Sequence, residues 1–303
     1  MKLGSPTFTG VVGLFSVLSL VGLVACGNGS SREEAKGPEP SVQSAPDAPI
    51  PHFDPKNFSH PLKIDNKWLP LAPGTQFILE GEANRGEGIE QHRVIFTVSD
   101  LTKVINGVRT VVMWDQDYNG GVRAESEITF FAQDDEGNVW LLGEYPEEYE
   151  DGKFAGAPST WVAGKGGAQP GILMPAHPKL SDPTFLQGYV PDIDFQDIAK
   201  VHQTGQEVCV PAGCFQDVMV IDEWDPLAQP QDGHQLKYQA PGVGNIKVEA
   251  VGGEEQEMLH LVEVRKLTPE QMAEVREEIL KLDNHAYQVY VRWEDTKPVE
   301  PAP

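Results

Sequence analysis

The sequence predicts a mainly β protein: an antiparallel half-open barrel or sandwich with a long Gly/Pro-rich loop region and one C-terminal helix. Three observations predict it. The 303 residues include 30 Gly and 25 Pro, which favours turns over a helix bundle. Runs rich in β-branched residues are punctuated by Asn-Gly dipeptides, the strongest short hairpin signal, because both residues accept positive φ. Only one segment combines a helix cap with an apolar stripe.

Taken in order, residues Gln91 to Val98 and Val108 to Asp117 read as strands, with Asn106-Gly107 before the second and Asn119-Gly120 after it. Val122 to Ala132 returns, a turn follows at 134–138, and Val139 to Tyr145 returns again, giving a three-strand meander. Residues 146–200 carry Pro and Gly with little periodicity and read as a long loop, which inside a domain is often functional. Strands resume at Gln206 to Val210, Phe215 to Glu223, His234 to Gln239, Gly244 to Ala250 and Met258 to Lys266. A helix over about 269–283 has Thr268 as N-cap, Pro269 at its first position and Gln271 completing a capping box. Met272, Val275, Ile279 and Leu280 form its core-facing stripe. Tyr287, Val289, Val291 and Trp293 alternate as a last strand, and 295–303 reads as a frayed tail. Residues 53–294 thus form one β-rich domain.

The N-terminus carries an address. Lys2 precedes an apolar stretch, Val11 to Ala25, that is too short for a spanning helix and fits a signal peptide over 1–25. It ends Leu23-Val24-Ala25-Cys26, which resembles the lipobox of bacterial lipoproteins, where cleavage precedes a lipidated cysteine. Residues 26–52 then read as the lipidated Cys26 and a disordered tether, since Gly, Pro, Ser and Glu dominate and no apolar surface is available to bury. Loss of Lys2 leaves 22 basic against 46 acidic side chains, 22 − 46 = −24. Such a charge excludes a basic footprint for nucleic acid or anionic lipid, so acyl chains must hold the chain to its membrane. Gly27 stands where retention at the inner membrane uses Asp, which by that resemblance implies the outer membrane in a host with two.

Five segments carry a wider resemblance: IDNKWLPLAPGT (64–75), FFAQDDEGNVWLLGE (130–144), AGKGGAQPGILMPAHP (163–178), CVPAGCF (209–215) and YQAPGVGNIKVE (238–249). Together they resemble a group of uncharacterised exported bacterial lipoproteins with a β-rich body. The last two also resemble the TapB and DUF3108 type of envelope protein, akin to the half-open barrels of LolA and LolB. The resemblance implies an envelope role and no assigned reaction, so no catalytic residue carries over.

Cys209 and Cys214 bracket Val210-Pro211-Ala212-Gly213. A four-residue hairpin loop places them across two strands within disulfide reach, and export supplies the oxidising compartment. Zinc is disfavoured, because no second Cys or His pair lies nearby.

Motifs for a nucleophile elbow, a zincin or a P-loop are absent. The eight histidines are scattered without metal spacing. Asp115-Gln116-Asp117-Tyr118-Asn119-Gly120 matches the first six positions of a calcium-binding EF-hand loop, but the twelfth is Ser126, where a bidentate Glu is required. A two-residue loop at Asn119-Gly120 would set Glu127 opposite Val112 and Glu125 opposite Trp114. A four-residue loop at 134–137 would set Glu127 opposite Glu144. Asp115, Asp117, Glu125, Glu127 and Glu144 are therefore the candidate metal ligands, with Ca2+ as the candidate ion. The alternative places the glutamates at the wet end of the sheet. Trp161, Lys165, Ile172, Leu173, Met174 and His177 are expected in a loop that forms either a lid over a cavity or a seal on the barrel end.

Two functional readings follow. One is a non-catalytic envelope lipoprotein, anchored by lipid, that offers a pocket or surface to an apolar ligand, lipid or protein partner. The other is a metal-dependent hydrolase or a calcium-stabilised protein built on those carboxylates.

Overall fold

In the computed structural model, residues 47–84, 88–227, 233–253 and 256–303 are described. Cys26, the signal segment and most of the tether lie outside the described residues. The strands are β1 (Thr75–Asn84), β2 (Ile89–Ile105), β3 (Val108–Asn119), β4 (Val122–Gln133), β5 (Val139–Glu150), β6 (Lys153–Gly156), β7 (Trp161–Val162), β8 (Gln169–Met174), β9 (Phe185–Val190), β10 (Phe195–Val210), β11 (Gly213–Trp224), β12 (His234–Ala240), β13 (Gly244–Val251), β14 (Gln256–Lys266) and β15 (Glu300–Pro301), and α1 is Pro269–Val289. The sheet runs β1-β14-β13-β12-β11-β10-β9-β8-β5-β4-β3-β2, and β1 pairs β2 as well as β14. Twelve antiparallel strands therefore close into a barrel, where the sequence reading allowed a half-open barrel or a sandwich. Closure leaves no unpaired edge in the ring.

The strand that closes the ring, β1, shows why glycine is needed at one point. A Cβ on Gly81 would lie 1.8 Å from the Met258 carbonyl oxygen, so β14 approaches too closely for any side chain. Asn106 and Gly107, both at positive φ, make the β2–β3 turn as expected. The β3–β4 turn falls instead on Gly120 and Gly121, with Asn119 paired to Val122.

Residues 146–200 are not one loop. They hold the end of β5, the short strands β6 to β9 and the start of β10, and through β8 and β9 complete the wall. Trp161, Val162, Ala163, Leu173 and Met174 are buried, so this region seals the barrel rather than lidding a cavity. The expected C-terminal strand is also absent: α1 continues to Val289, a 3-10 turn covers Val291–Asp295, and Glu300–Pro301 pairs with β2 instead of fraying. The tether shortens as well, because Ala48 packs against Leu186, Tyr189 and Ile198 outside the barrel.

Helix α1 lies on the outer wall. Its capping box is complete, and Met272, Val275, Ile279, Leu282 and Ala286 are buried, each large side chain contributing about 1.5–3 kcal/mol. Ion pairing fixes its far end. Lys103, fully buried on β2, donates to Asp283 Oδ1 at 2.7 Å and to the Lys297 carbonyl at 2.8 Å. Asp283 also accepts from Trp293 Nε1 and from the Val299 amide, both at 2.9 Å. The hairpin β10–β11 ends in the Cys209–Cys214 disulfide, and these two residues face each other in register.

Candidate functional site

Alternation along each strand sends every second side chain inward. Cross-strand partners share a face, so the register fixes what the barrel encloses. On β2, His92, Val94 and Phe96 oppose Asn119, Asp117 and Asp115 of β3. Asp117 and Asp115 in turn oppose Glu125 and Glu127 of β4. Glu125, Glu127 and Thr129 then oppose Glu148, Pro146 and Glu144 of β5. All five candidate ligands therefore lie on one inward face, and each is at most 3% exposed.

The predicted pairing was wrong in a way that enlarges the cluster. Glu127 opposes Asp115 rather than Val112, an offset of three positions. An odd offset exchanges the two faces of β3, so Asp115 and Asp117 point inward while Val112 and Trp114 pack outward. On the other side Glu127 opposes Pro146 rather than Glu144, an even offset that keeps Glu144 on the same face. The alternative of a wet sheet end fails, because these side chains are buried.

Sequence reasoning missed the rest of the polar interior. His92, fully buried, places Nε2 2.8 Å from Glu257 Oε1, and Nδ1 2.7 Å from Asn119 Oδ1 and 3.3 Å from Asp117 Oδ1. Glu257 also accepts from Gln235 Nε2 at 2.7 Å. Asp197 and Glu223 enter from β10 and β11, with Lys237 of β12 bonded to Glu223. The signal for His92 is period-two alternation in β2, where it shares a face with Val94 and Phe96; Asp197 and Glu223 carry no comparable mark.

Like charges gathered away from water disfavour one another's ionised form. Burial pushes Asp115 well above the usual carboxylate range. A hydrogen bond from Thr129, whose Oγ1 lies 3.3 Å from Asp115 Oδ2, offsets part of this, and the charge of Glu144 adds to it. Glu125 is raised by burial and then by Asp117, Glu148, Glu144 and Asp115. Glu127 is raised by burial and then by Glu144, Glu125 and Asp115. Asp197 is raised by burial, Glu223 and Asp225, against the opposing charge of Lys237. Glu148, nearer the rim, is pushed up to about 7 by burial and by Glu150.

Among the described residues, no group of three or more His, Cys, Asp or Glu is placed to hold a metal ion. The carboxylates share a face without meeting at a point.

The other end of the interior is apolar. A cavity of about 40 Å³ is lined there by Leu69, Leu71, Phe77, Leu79, Phe96 and Met113, with Asn245 at its edge. That volume holds a few water-sized groups, not a lipid. A wider polar cleft of about 460 Å³ lies at the rim, where Trp68, Gln133 and His177 meet. His177 thus sits apart from Trp161, and Lys165 is at the surface, paired with Asp295 at 3.0 Å.

No family model matches the chain, and no curated protein matches it. Two solved structures are similar in part. One is a candidate exported protein with a YmcC-like fold from Bacteroides fragilis, 14% identical, covering 66% of this chain and 100% of its own, at a TM-score of 0.35. The second is a candidate lipoprotein from Parabacteroides distasonis, 13% identical, covering 66% of this chain and 99% of its own, also at 0.35. At that TM-score the likeness carries no functional statement. The proposed kinship with the TapB and DUF3108 type finds no support in either.

Proposed function

We propose that this protein is a lipid-anchored binding protein of the bacterial envelope, held by Cys26 on a tether of about 20 residues and presenting a closed barrel to the periplasm or cell surface. The observation that carries the reading is the apolar stretch Val11 to Ala25 ending in Leu23-Val24-Ala25-Cys26, followed directly by a Gly/Ser/Pro/Glu-rich segment. The barrel supports a binding role in two ways. Its apolar end offers a half-open cup for a small apolar group of a lipid or envelope partner, and its polar end spends folding stability on buried carboxylates. A fold selected for stability alone replaces such groups with apolar ones. A whole acyl chain does not fit the cup in the closed barrel, so a lipid would engage only by its tip. Gly27 favours sorting to the outer membrane.

Detergent phase partitioning of cell extracts tests this. The wild type is expected in the detergent phase and Cys26→Ser in the aqueous phase. A wild type that is wholly aqueous overturns the reading.

A further inference from the structure

We propose that one rim of the barrel, the end that encloses the buried carboxylates, lies against a zwitterionic phospholipid surface, with Ile89, Val122 and Val251 entering the headgroup layer and Phe154 beside them. The register puts all four at that end. Val122 pairs with Asn119 across the β3–β4 turn, and Asn119 pairs with His92 of β2, three residues from Ile89. Asn84 of β1 pairs with Ile89 and with Gln256 at the start of β14, and Val251 ends β13. Phe154 follows the β5–β6 turn, where Glu150 pairs with Lys153, and its ring edge also meets His285 of α1. The four stand on consecutive turns around the ring, and Ile89, Val122, Val251 and Phe154 are 70%, 57%, 46% and 39% exposed. One exposed apolar residue needs no explanation, but a row of them along one rim marks a contact surface. The turns of the opposite rim at 106–107, 134–138, 211–212 and 241–242 consist of Asn, Gly, Asp, Glu, Pro and Ala.

What covers the row follows from where the chain enters the fold, and the orientation rests on Cys26 as the lipid site, as proposed above. Ala48 is buried against Leu186, Tyr189 and Ile198, with Trp224 packed on the same cluster. Trp224 ends β11 and stacks on His234, which pairs with Val251. The chain therefore joins the body at the rim that carries the exposed row. From there it descends the wall to Phe53, which meets Trp140 near the β4–β5 turn at the other end. Twenty residues, 27–46, separate Cys26 from the described chain and span at most about 70 Å. With the anchor on this side, the rim meets the bilayer without the chain doubling back along the barrel. Charge selects the lipid. Glu90 adjoins Ile89, Arg123 adjoins Val122 and Lys153 adjoins Phe154, so the apolar tips stand among both signs. A headgroup with a phosphate and an ammonium, as in phosphatidylethanolamine, complements them, whereas a formal net charge of −23 opposes an anionic surface. The apolar cup then opens at the far end, away from the bilayer that holds the anchor.

The test uses the full chain, purified with its lipid and reconstituted into vesicles of phosphatidylethanolamine and phosphatidylcholine. Val122→Cys and Leu180→Cys are each labelled with an environment-sensitive dye, since Cys209 and Cys214 are consumed by their disulfide and Cys26 by lipid. Both sites are exposed, 57% and 61%, and Leu180 lies in the β8–β9 loop at the opposite end, so neither substitution touches the core. Spin-labelled phospholipids should quench the Val122 dye about threefold more than the Leu180 dye, as entry of about 5–10 Å into the headgroup boundary requires. Ile89→Ser/Val251→Ser should weaken quenching at position 122 while the protein still floats with the vesicles, because the acyl anchor is untouched. Floated protein whose dye at 122 is quenched no more than the dye at 180 overturns the rim contact and leaves the anchor standing, and a double variant that keeps full quenching does the same. Protein that fails to float overturns the anchor reading and the rim contact with it.

Discussion

Lys103 is the point at which one substitution should loosen the segment from α1 to the C-terminus, about an eighth of the chain, from the barrel wall. Its ammonium is fully buried, donates to Asp283, the Lys297 carbonyl and the Tyr287 hydroxyl, and stands 4.7 Å from the centre of the Trp293 ring. Desolvation alone holds its pKa below the ordinary lysine value, with Asp283 opposing that shift, so burial outweighs pairing in the site's own balance. Lys103→Met removes the ammonium and strands the Asp283 carboxylate. A broken buried pair costs about 3–5 kcal/mol. Asp283 keeps two donors, Trp293 Nε1 and the Val299 amide, each worth about 1.5–3 kcal/mol to a charged acceptor, which places the loss near the lower end, about 3 kcal/mol. Asp283→Leu should cost more, because it orphans those donors and the ammonium together. The double variant should be less damaged than the two losses added, by about 2 kcal/mol. Urea unfolding at neutral pH reads this as midpoint shifts at constant slope. A Lys103→Met loss under about 1 kcal/mol, or strictly additive singles, refutes the reasoning.

Three further outcomes follow. Glu148 has a folded pKa of about 7 against an ordinary value of 4.5, so the folded state holds a proton that the unfolded state has released. Its contribution is complete below about pH 4.5 and falls away as pH rises to 7, by at most about 3 kcal/mol and, after discounting for water at the rim, by about 2 kcal/mol. Glu148→Gln should flatten that part of the pH dependence of the urea midpoint in EDTA, and an unchanged dependence counts against it. Cys209→Ser/Cys214→Ser should lower stability by about 2 kcal/mol, as the closure entropy of so short a loop allows, and reductant should lower the wild type equally; a wild type indifferent to reductant contradicts this. Gly81→Ala should cost about 3 kcal/mol or more, because the obstacle is a backbone carbonyl that cannot rotate away, and a variant with wild-type melting would show that β1 and β14 separate freely.

The fold class and most of the meander were legible because alternation and Asn-Gly turns are local signals. The closure was not. Strand β1 reads TQFILEGEAN, where Glu80, Gly81 and Glu82 blur the alternation, and it earns its place only by pairing with strands on both sides. Without it the same strands describe a half-open barrel. Strands β7 and β8 are two and six residues long and reach β5 across long gaps in sequence, while Asp151-Gly152 between β5 and β6 is a hairpin signal absorbed into the expected long loop. At the C-terminus, residues 287–293 fit both periods, and packing of Ala286 and Trp293 decided for helix and turn. The acid site was half legible. Asn119-Gly120-Gly121 offers two adjacent turns, and only the second, with a register shift at Asp117 and Tyr118, turns both aspartates inward. His92, Asp197 and Glu223 were missed because a charged residue in a strand reads as solvent-facing until the barrel closes around it.

The functional account depends most directly on the chemistry of Cys26. Metabolic labelling of expressing bacteria with an alkyne fatty acid, followed by purification and fluorophore coupling, measures it. The account predicts strong label on the wild type, none on Cys26→Ser, and full label on Cys209→Ser/Cys214→Ser. Equal label on wild type and Cys26→Ser, or no label on either, would contradict it.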